Sequence, residues 1–458
     1  MKDAIRNFFL DIKEKYYLDA CSFFLYLSVS FCFPKSYKYL MPVIIGLTII
    51  QLIRLKRRHV TSDYIKKNYF HLLIFSLLFF RSVHTALLII NLVLHIYFFF
   101  HNREKINNKN LSFEIYVLVL FALIVINFLI TASQVKELDT FLYLLIYPLL
   151  FIVMKQQYFV ISISKVINVY LTSVLICVFY LFIINALNNT ITTSTNTYFP
   201  IYLDITHVYL GMYIGLGLCF LLALKIRNKT YIRQKLDYLI FAILLFMLIY
   251  IGARIALIAV LLLILLSFYI KIQLKPFIKI IILSVILFGI LAISFKAIPR
   301  VRMGVDSIVR IYESIRTDNK FDMVHNSWEN MNQRYLIISY SVKEIEKNYL
   351  FGIGIKNVKE LVSNKIIADG FIHFSPINTH NQYLHYMLGM GIPSFLFFAW
   401  MLISFLKANR NIILALYYMI FFLVIMMTES ILVRISGLSL FFLFYLIFSF
   451  NVPIKQDC

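Results

Sequence analysis

Runs of apolar residues long enough to cross a lipid bilayer recur along the whole chain, and this recurrence constrains the fold more than any other feature. A helix of about 20 apolar residues spans the hydrocarbon core of a bilayer. With 61% hydrophobic and 14% charged residues, the chain is far from the composition of a soluble globular domain. We therefore predict an all-α polytopic membrane protein. The composition excludes a water-soluble enzyme, a disordered protein and a secreted disulfide scaffold.

The apolar runs define the predicted membrane helices. One run, 68–100, is too long for a single tilted helix and carries Arg81 and His84 near its middle. Because a charge at mid-bilayer is costly, we expect a tight hairpin of two short helices that places both side chains at the far surface. The chain then has about 12–14 membrane helices. The other runs lie near 17–33, 39–55, 115–132, 138–154, 160–185, 205–226, 237–251, 254–271, 276–296, 381–406, 411–428 and 431–450.

The formal net charge is +22, and most basic residues lie in short loops between the apolar runs. This is the positive-inside pattern, so the charge indicates orientation in the membrane and not nucleic-acid binding. The same orientation places both termini inside and a long polar stretch outside. We expect three regions: transmembrane helices over 1–296, a large outer loop with an amphipathic helix over 297–380, and carboxy-terminal transmembrane helices over 381–458.

Candidate functional residues are polar side chains at the outer helix ends and in the outer loop. Arg254 begins an almost wholly apolar helix after a very short loop, and it is either a snorkelling anchor or a functional group. After Arg334, apolar and polar residues mix at near-helical spacing, which predicts an amphipathic helix in the outer interface, ended by the flexible Gly352 and Gly354. An arginine that opens such a helix contacts either a lipid diphosphate or ordinary phospholipid headgroups.

His380 ends the outer loop where the next membrane helix begins, in the segment THNQYLHYMLGMGI. Histidine is the side chain best suited to accept a hydroxyl proton near neutral pH, although at a helix start it is often only an interfacial residue. The glycines of the segment allow close approach of a neighbouring helix. The second histidine, His385, falls on a different face of that helix, so we do not expect the two to act as a pair.

Two further sets of polar residues are weaker candidates. Glu429 and Arg434 lie at the outer start of the last helix and are expected to form an internal salt bridge or an anchor. His207 opens another helix from the outside and is expected to be interfacial. Motifs of nucleotide-binding P-loops, serine hydrolases, HExxH zinc enzymes and CxxC sites do not occur in the sequence, so it lends no support to those chemistries.

Taken together, these segments resemble the O-antigen ligase and polymerase family. The resemblance rests on Arg254 early in a helix, a large outer loop with Arg334 and then FGIGI, and THNQYLHYMLGMGI leading into the next helix. The last helices, with TESILVRISG, are similar to those of members from low-GC Gram-negative bacteria. The resemblance covers order, spacing and topology across 200–450. The family pattern often has serine before the first arginine, where this chain has Ala253.

The resemblance implies a fold similar to that of the GT-C glycosyltransferases and an active site on the periplasmic side of the bacterial inner membrane. The implied reaction transfers a glycan from undecaprenyl diphosphate to a sugar hydroxyl, with inversion and without metal, nucleotide or other cofactor. Arginines at positions like Arg254 and Arg334 bind the diphosphate, and a histidine at the position of His380 activates or orients the acceptor hydroxyl. We add as substrate-binding candidates Asn381, His207 and Arg434.

Several functions fit these features. The preferred one is a polymerase that joins repeat units of a surface polysaccharide. A ligase that moves the finished glycan to lipid A core or to protein would use the same residues. A flippase of lipid-linked oligosaccharides suits the helix number, but such flippases have short loops and charges buried mid-helix, and a passive scaffold would not need Arg334 and His380 where they are. The expected partners are the lipid-linked donor, an acceptor glycan or lipid A core, membrane lipids and a chain-length regulator, without nucleic acid.

Overall fold

The computed structural model describes residues 62–78, 81–101, 111–131, 135–157, 159–187, 206–227, 234–271, 330–368 and 378–450. These residues are helical or in the short connections between helices, which confirms the predicted all-α polytopic membrane class. Among them, six helices are long and apolar enough to cross a membrane. The predicted runs 17–33, 39–55 and 276–296 lie outside the described residues, and the total of about 12–14 membrane helices stays a prediction.

The helices are numbered in chain order. The first part of the described chain contains α1 (Ser62–Phe75), α2 (Arg81–His101), α3 (Ser112–Ile130), α4 (Tyr143–Gln156), α5 (Ile163–Leu187), α6 (His207–Arg227), α7 (Gln234–Ile251) and α8 (Arg254–Lys271). The second part contains α9 (Asn330–Lys347), α10 (Val358–Ala368), α11 (Gln382–Ala408), α12 (Ile413–Met426) and α13 (Ile435–Phe450). Short 3-10 turns cover Ser76–Leu78, Val135–Leu142 and Ile431–Val433.

The long apolar run forms the predicted hairpin. A 3-10 turn follows α1, and α2 then packs against α1. His84 lies in the first turn of α2, at the hairpin end, and its side chain is buried against the neighbouring helices. Its Nδ1 lies 2.9 Å from Ser76 Oγ, and its Nε2 lies 2.5 Å from Tyr147 Oη. The ring can stay inside the bundle because both of its nitrogens have partners there.

Helix α13 forms the centre of the bundle, because nearly all of its residues are buried. A helix that is apolar on every side is expected to lie in the interior. It packs against α3, α4 and α6, and α6 packs in turn against α7, α8 and α12. The segment 427–434, which includes a 3-10 turn, connects α12 to α13.

Glycines on α6 bring the starts of α6 and α8 together. A Cβ atom built on Gly211 would lie 2.1 Å from the Cβ of Ala253, which is buried directly before α8. One turn further, a Cβ on Gly215 would lie 2.8 Å from the ring of Phe421 in α12. Small residues at such spacing permit close contact of membrane helices. The start of α8, with Arg254, is therefore fixed beside the start of α6.

Candidate active site

A break in α11 forms the base of the site. The backbone of Gly391 (φ 82°, ψ 166°) interrupts the helix. The segment 349–355, which follows α9, lies against this break. The N–H of Ile392 donates to the carbonyl oxygen of Tyr349 at 2.8 Å, and two N–H groups of the segment donate to carbonyl oxygens before the break at 2.9 and 3.0 Å. The backbone groups freed by the break are thus paired inside the protein, as non-helical backbone at membrane depth requires.

Asn127, near the end of α3, connects the two sides of this contact. Its amide nitrogen donates to the carbonyl oxygens of Phe351 and Gly389 at 2.8 and 3.0 Å. Its side-chain oxygen accepts from the N–H of Ile355 at 3.2 Å. One amide therefore joins three elements, namely α3, the segment 349–355 and α11.

The glycines here serve close contact between two backbones. A Cβ on Gly352 would lie 2.5 Å from the carbonyl carbon of Gly389, and a Cβ on Gly391 would lie 2.1 Å from the carbonyl oxygen of Leu350. Gly352, Gly354 and Gly391 also have positive φ, which other L-residues adopt at a cost. The prediction that Gly352 and Gly354 form a flexible end is wrong, and the neighbour of the α11 glycines is an irregular segment and not a helix.

The amphipathic helix predicted after Arg334 is α9. Its buried Leu336 and Ile337 belong to a small core that is separate from the main one. This core also contains residues of α10 and α11, namely Val358, Val362, Ile366 and Leu388. Arg334 lies in the early part of α9, so its backbone is carried by a unit that packs on the first half of α11.

An ion pair connects α9 to α10. Lys365 Nζ contacts Glu344 Oε2, and Lys347 Nζ lies 3.5 Å from Glu344 Oε1. Burial acts to raise the pKa of the Glu344 carboxyl, but the hydrogen bond and charge of Lys365, with Lys347, outweigh it and hold this pKa below its usual value. The carboxylate is therefore the stable form that holds the two helices together.

His380 lies directly before α11 in a strained backbone conformation. Its φ is +49°, in the left-handed region that non-glycine residues occupy infrequently. The Asn381 side chain caps α11 by accepting an N–H of the first turn at 2.9 Å, and it donates to the carbonyl oxygen of Met427 at 3.0 Å. The Thr379 hydroxyl lies 2.8 Å from Ser430 Oγ. Both flanks of His380 are therefore fixed to the segment that follows α12.

Glu429 lies in that segment and connects His380 to Arg334. Its Oε2 is 3.1 Å from His380 Nδ1, and its Oε1 is 3.4 Å from Arg334 Nη2. The side chains of Arg334, His380 and Glu429 are 37%, 26% and 17% exposed. An ion pair this exposed contributes at most about 1 kcal/mol to stability. The cluster is accessible to a ligand, and a bound anion can replace the Arg334–Glu429 contact at little cost.

The chemistry of the cluster follows from which of its nitrogen atoms already form hydrogen bonds within the protein. In neutral His380, an Nδ1–H donated to Glu429 leaves the lone pair on Nε2, which can accept a proton. Arg334 offers the planar N–H donors that bind phosphate and carboxylate oxygens. The arrangement thus places a proton acceptor, His380, next to an anion-binding side chain, Arg334. The structure brings together two of the predicted site residues through a third, Glu429, for which the sequence predicted a different partner.

The remaining candidates lie at the same end of the bundle. The guanidinium carbon of Arg434 is 5.8 Å from the ring centre of Tyr209, whereas Glu429 contacts His380 and Arg334. Of the two roles expected for Glu429 and Arg434, a mutual salt bridge or an anchor, the salt bridge is not found among the described residues. Tyr209 also contacts the backbone two residues after Glu429, through the carbonyl oxygen of Ile431 at 3.5 Å. His207 begins the same helix as Tyr209, and the exposed Arg254 begins the adjacent α8.

His385 has a separate position, as its helical spacing predicted. Its Nε2 donates to the carbonyl oxygen of Ile355 at 2.9 Å, and its Nδ1 lies 3.3 Å from the Thr379 hydroxyl. The ring is buried, and both of its nitrogens contact the protein. His385 therefore anchors the segment 349–355, and His380 is the histidine of this pair that is open to a ligand.

A family model described as O-antigen ligase matches residues 239–399. The match begins in α7, ends in α11 and includes Arg254, Arg334 and His380. A search of curated proteins gave no match. The family match supports a glycosyl-transferring membrane enzyme of the O-antigen ligase and polymerase type, which takes a lipid-linked glycan and an acceptor as substrates.

Proposed function

We propose that this chain, which matches the O-antigen ligase family over residues 239–399, transfers an oligosaccharide from undecaprenyl diphosphate to a sugar hydroxyl on the periplasmic side of the bacterial inner membrane. The observation that carries the proposal is the cluster of His380, Glu429 and Arg334, in which a proton acceptor lies next to an anion-binding arginine. The family match supports the class of reaction. The residue roles and the donor are inferred from the chemistry of the cluster.

In the proposed reaction the acceptor hydroxyl gives its proton to Nε2 of His380. The acceptor oxygen forms a bond to the anomeric carbon from the side opposite the diphosphate. The bond between that carbon and the diphosphate oxygen breaks, and its electron pair leaves with undecaprenyl diphosphate. The anomeric configuration is inverted. No ATP is needed, because the bond to the lipid diphosphate already carries the free energy of the transfer.

The negative charge of the leaving diphosphate is offset by arginines. Arginine stays protonated and binds phosphate oxygens in a bidentate manner, so Arg334 and Arg254 together can hold the donor and stabilise the developing charge. This gives the proposed reaction its charge compensation without a metal ion. Asn381, His207 and Arg434 are proposed to contact the substrate from the same end of the bundle.

The preferred acceptor reaction is polymerisation of repeat units. The alternative is ligation to lipid A core or to protein, and the family match is compatible with both reactions. A deletion strain separates them by the gel pattern of its surface polysaccharide. Lipid A core with a single repeat unit indicates a polymerase. Core without repeats, together with long glycan on undecaprenyl diphosphate, indicates a ligase, whereas repeat units retained on the cytoplasmic face would contradict both in favour of a flippase.

The proposed orientation has its own test. Glu346 is exposed on α9, and Lys225 is exposed near the far end of α6. Each position is changed to cysteine in a background without the native cysteines. A membrane-impermeant maleimide is expected to label Glu346→Cys once the outer membrane is opened and Lys225→Cys only after lysis. The reverse pattern would show that the cluster faces the cytoplasm.

A further inference from the structure

We infer that Glu429 is a positioning residue whose carboxylate is shared between Arg334 and His380, and that binding of the donor diphosphate to Arg334 commits this carboxylate to His380. The His380–Glu429 pair is present before the donor binds, and donor binding frees it from the competing charge of Arg334. The inference rests on the proposed function, because it gives the two partners of Glu429 their roles.

The two contacts of Glu429 are unequal. Charge-assisted N–H···O bonds are usually about 2.7–2.9 Å long. The contact with His380 is 3.1 Å, whereas the contact with Arg334 is 3.4 Å and uses a single guanidinium nitrogen. Arg334 is also the most exposed of the three side chains. The Arg334 contact is therefore the one that a ligand can displace.

The contact with His380 is fixed by side-chain hydrogen bonds of the residues on both sides of His380. Thr379 is bonded to Ser430, and Asn381 is bonded to the carbonyl of Met427, so the residues next to His380 are held to the residues around Glu429. Arg334 belongs to a different element, α9, and reaches Glu429 through its own long and flexible side chain. The Arg334 side chain can therefore turn away while the His380–Glu429 pair stays in place.

A diphosphate competes well for Arg334. It offers several anionic oxygens in the geometry that a guanidinium binds by two parallel bonds, against one carboxylate oxygen at 3.4 Å. Once Arg334 is engaged, the charge of Glu429 faces His380 without a competing cation. It then holds the proton on Nδ1 and stabilises the imidazolium that forms when Nε2 takes the acceptor proton. The acceptor hydroxyl is thus activated more strongly beside a bound donor.

The test separates binding from turnover. Binding is measured on the purified full chain with farnesyl diphosphate as a soluble probe of the diphosphate site. Transfer is measured in the complemented deletion strain as surface glycan per amount of folded protein. For Glu429→Gln we expect transfer to fall on the order of 10²-fold. Affinity for farnesyl diphosphate should stay constant or rise about 2- to 5-fold, because Arg334 loses its competing carboxylate. Glu429→Asp should recover part of the transfer.

The matched control is Glu346→Gln, the same chemical change on the exposed face of α9, which should alter neither measurement. Loss of farnesyl diphosphate binding together with transfer in Glu429→Gln would overturn the inference, since Glu429 would then only hold the site together. Normal transfer in Glu429→Gln would overturn it as well. A separate result would contradict the proposed function itself, namely full transfer by both Arg334→Ala and His380→Ala.

Discussion

The two ends of the bundle each hold an ion pair, and the two pairs differ in their exposure. At one end, Lys155 Nζ lies 2.7 Å from Glu114 Oε1, and the two side chains are 3% and 0% exposed. At the other end, the carboxylate of Glu429 contacts His380 and Arg334 in a cluster that is partly open. Helix α3 connects the ends, because Glu114 is in its first turn and Asn127, about 20 Å further along, contacts the segment 349–355.

The comparison separates charge that stabilises the fold from charge that can react. A buried pair must stay intact, because removal of one partner leaves an uncompensated charge in the interior. An exposed cluster adds little to stability, but a substrate can reach it and compete for its partners. We therefore expect changes at Glu114 to alter folding and changes at Arg334 or His380 to alter transfer.

The largest effect on stability is expected for Glu114→Gln. The change removes the buried negative charge 2.7 Å from the Lys155 ammonium, which should lower the free energy of unfolding by about 3–5 kcal/mol. Unfolding in detergent measures it. Transfer per folded molecule should stay near the wild-type value, and the double variant Glu114→Gln/Lys155→Met should recover much of the stability. A selective loss of transfer at normal stability would break the comparison.

Arg334→Ala is expected to show the opposite pattern. Transfer should fall about 10²- to 10³-fold, because the developing charge on the diphosphate loses a donor, while unfolding changes by no more than about 1 kcal/mol. The assay is surface glycan per amount of folded protein. The control is Lys343→Ala, which removes an exposed positive charge from the same helix. If both variants reduce transfer equally, the effect comes from general surface charge and not from the cluster.

Gly391→Ala tests the support beneath the cluster. The new Cβ would meet the carbonyl oxygen of Leu350 at a φ of 82°, so strain of about 1–3 kcal/mol and a partial loss of transfer are expected. Unfolding measures the strain, and surface glycan per amount of folded protein measures the loss of transfer. Gly217→Ala is the matched control, because its nearest neighbour is the end of the Leu171 side chain, at 3.3 Å. Equal effects of the two changes would show that the break in α11 does not support the cluster.

The smallest effect is expected at the ion pair between α9 and α10. Glu344→Gln should lower the free energy of unfolding by less than about 1 kcal/mol at neutral pH, because the lysines on either side are exposed. The folded state lowers the pKa of Glu344, so this contribution is complete above the unfolded pKa of about 4.3. It is lost as the pH falls through the lower folded value. Unfolding of both proteins at neutral and acidic pH measures the difference, and a difference that grows in acid would contradict the assignment.

Local patterns in the sequence predicted much of this architecture. The apolar runs fix most of the described helices, and the near-helical spacing after Arg334 predicted α9. The glycines at 352, 354, 389 and 391 were visible, but the sequence does not show that the two groups meet. Glu429 is 49 residues from His380 and 95 from Arg334, so no local spacing indicates its partners. Contacts of that kind depend on which helices pack together, and apolar periodicity does not determine this.

The central claim is that the open cluster carries out the transfer and the buried pair supports the fold. The most direct measurement compares His380→Ala with Glu114→Gln in the complemented deletion strain, as surface glycan divided by folded protein. The account predicts that His380→Ala accumulates as folded protein in normal amounts but makes less than about 1% of the glycan. It predicts that Glu114→Gln accumulates poorly yet makes near wild-type glycan per folded molecule. Wild-type glycan from His380→Ala at normal amounts of folded protein would contradict it.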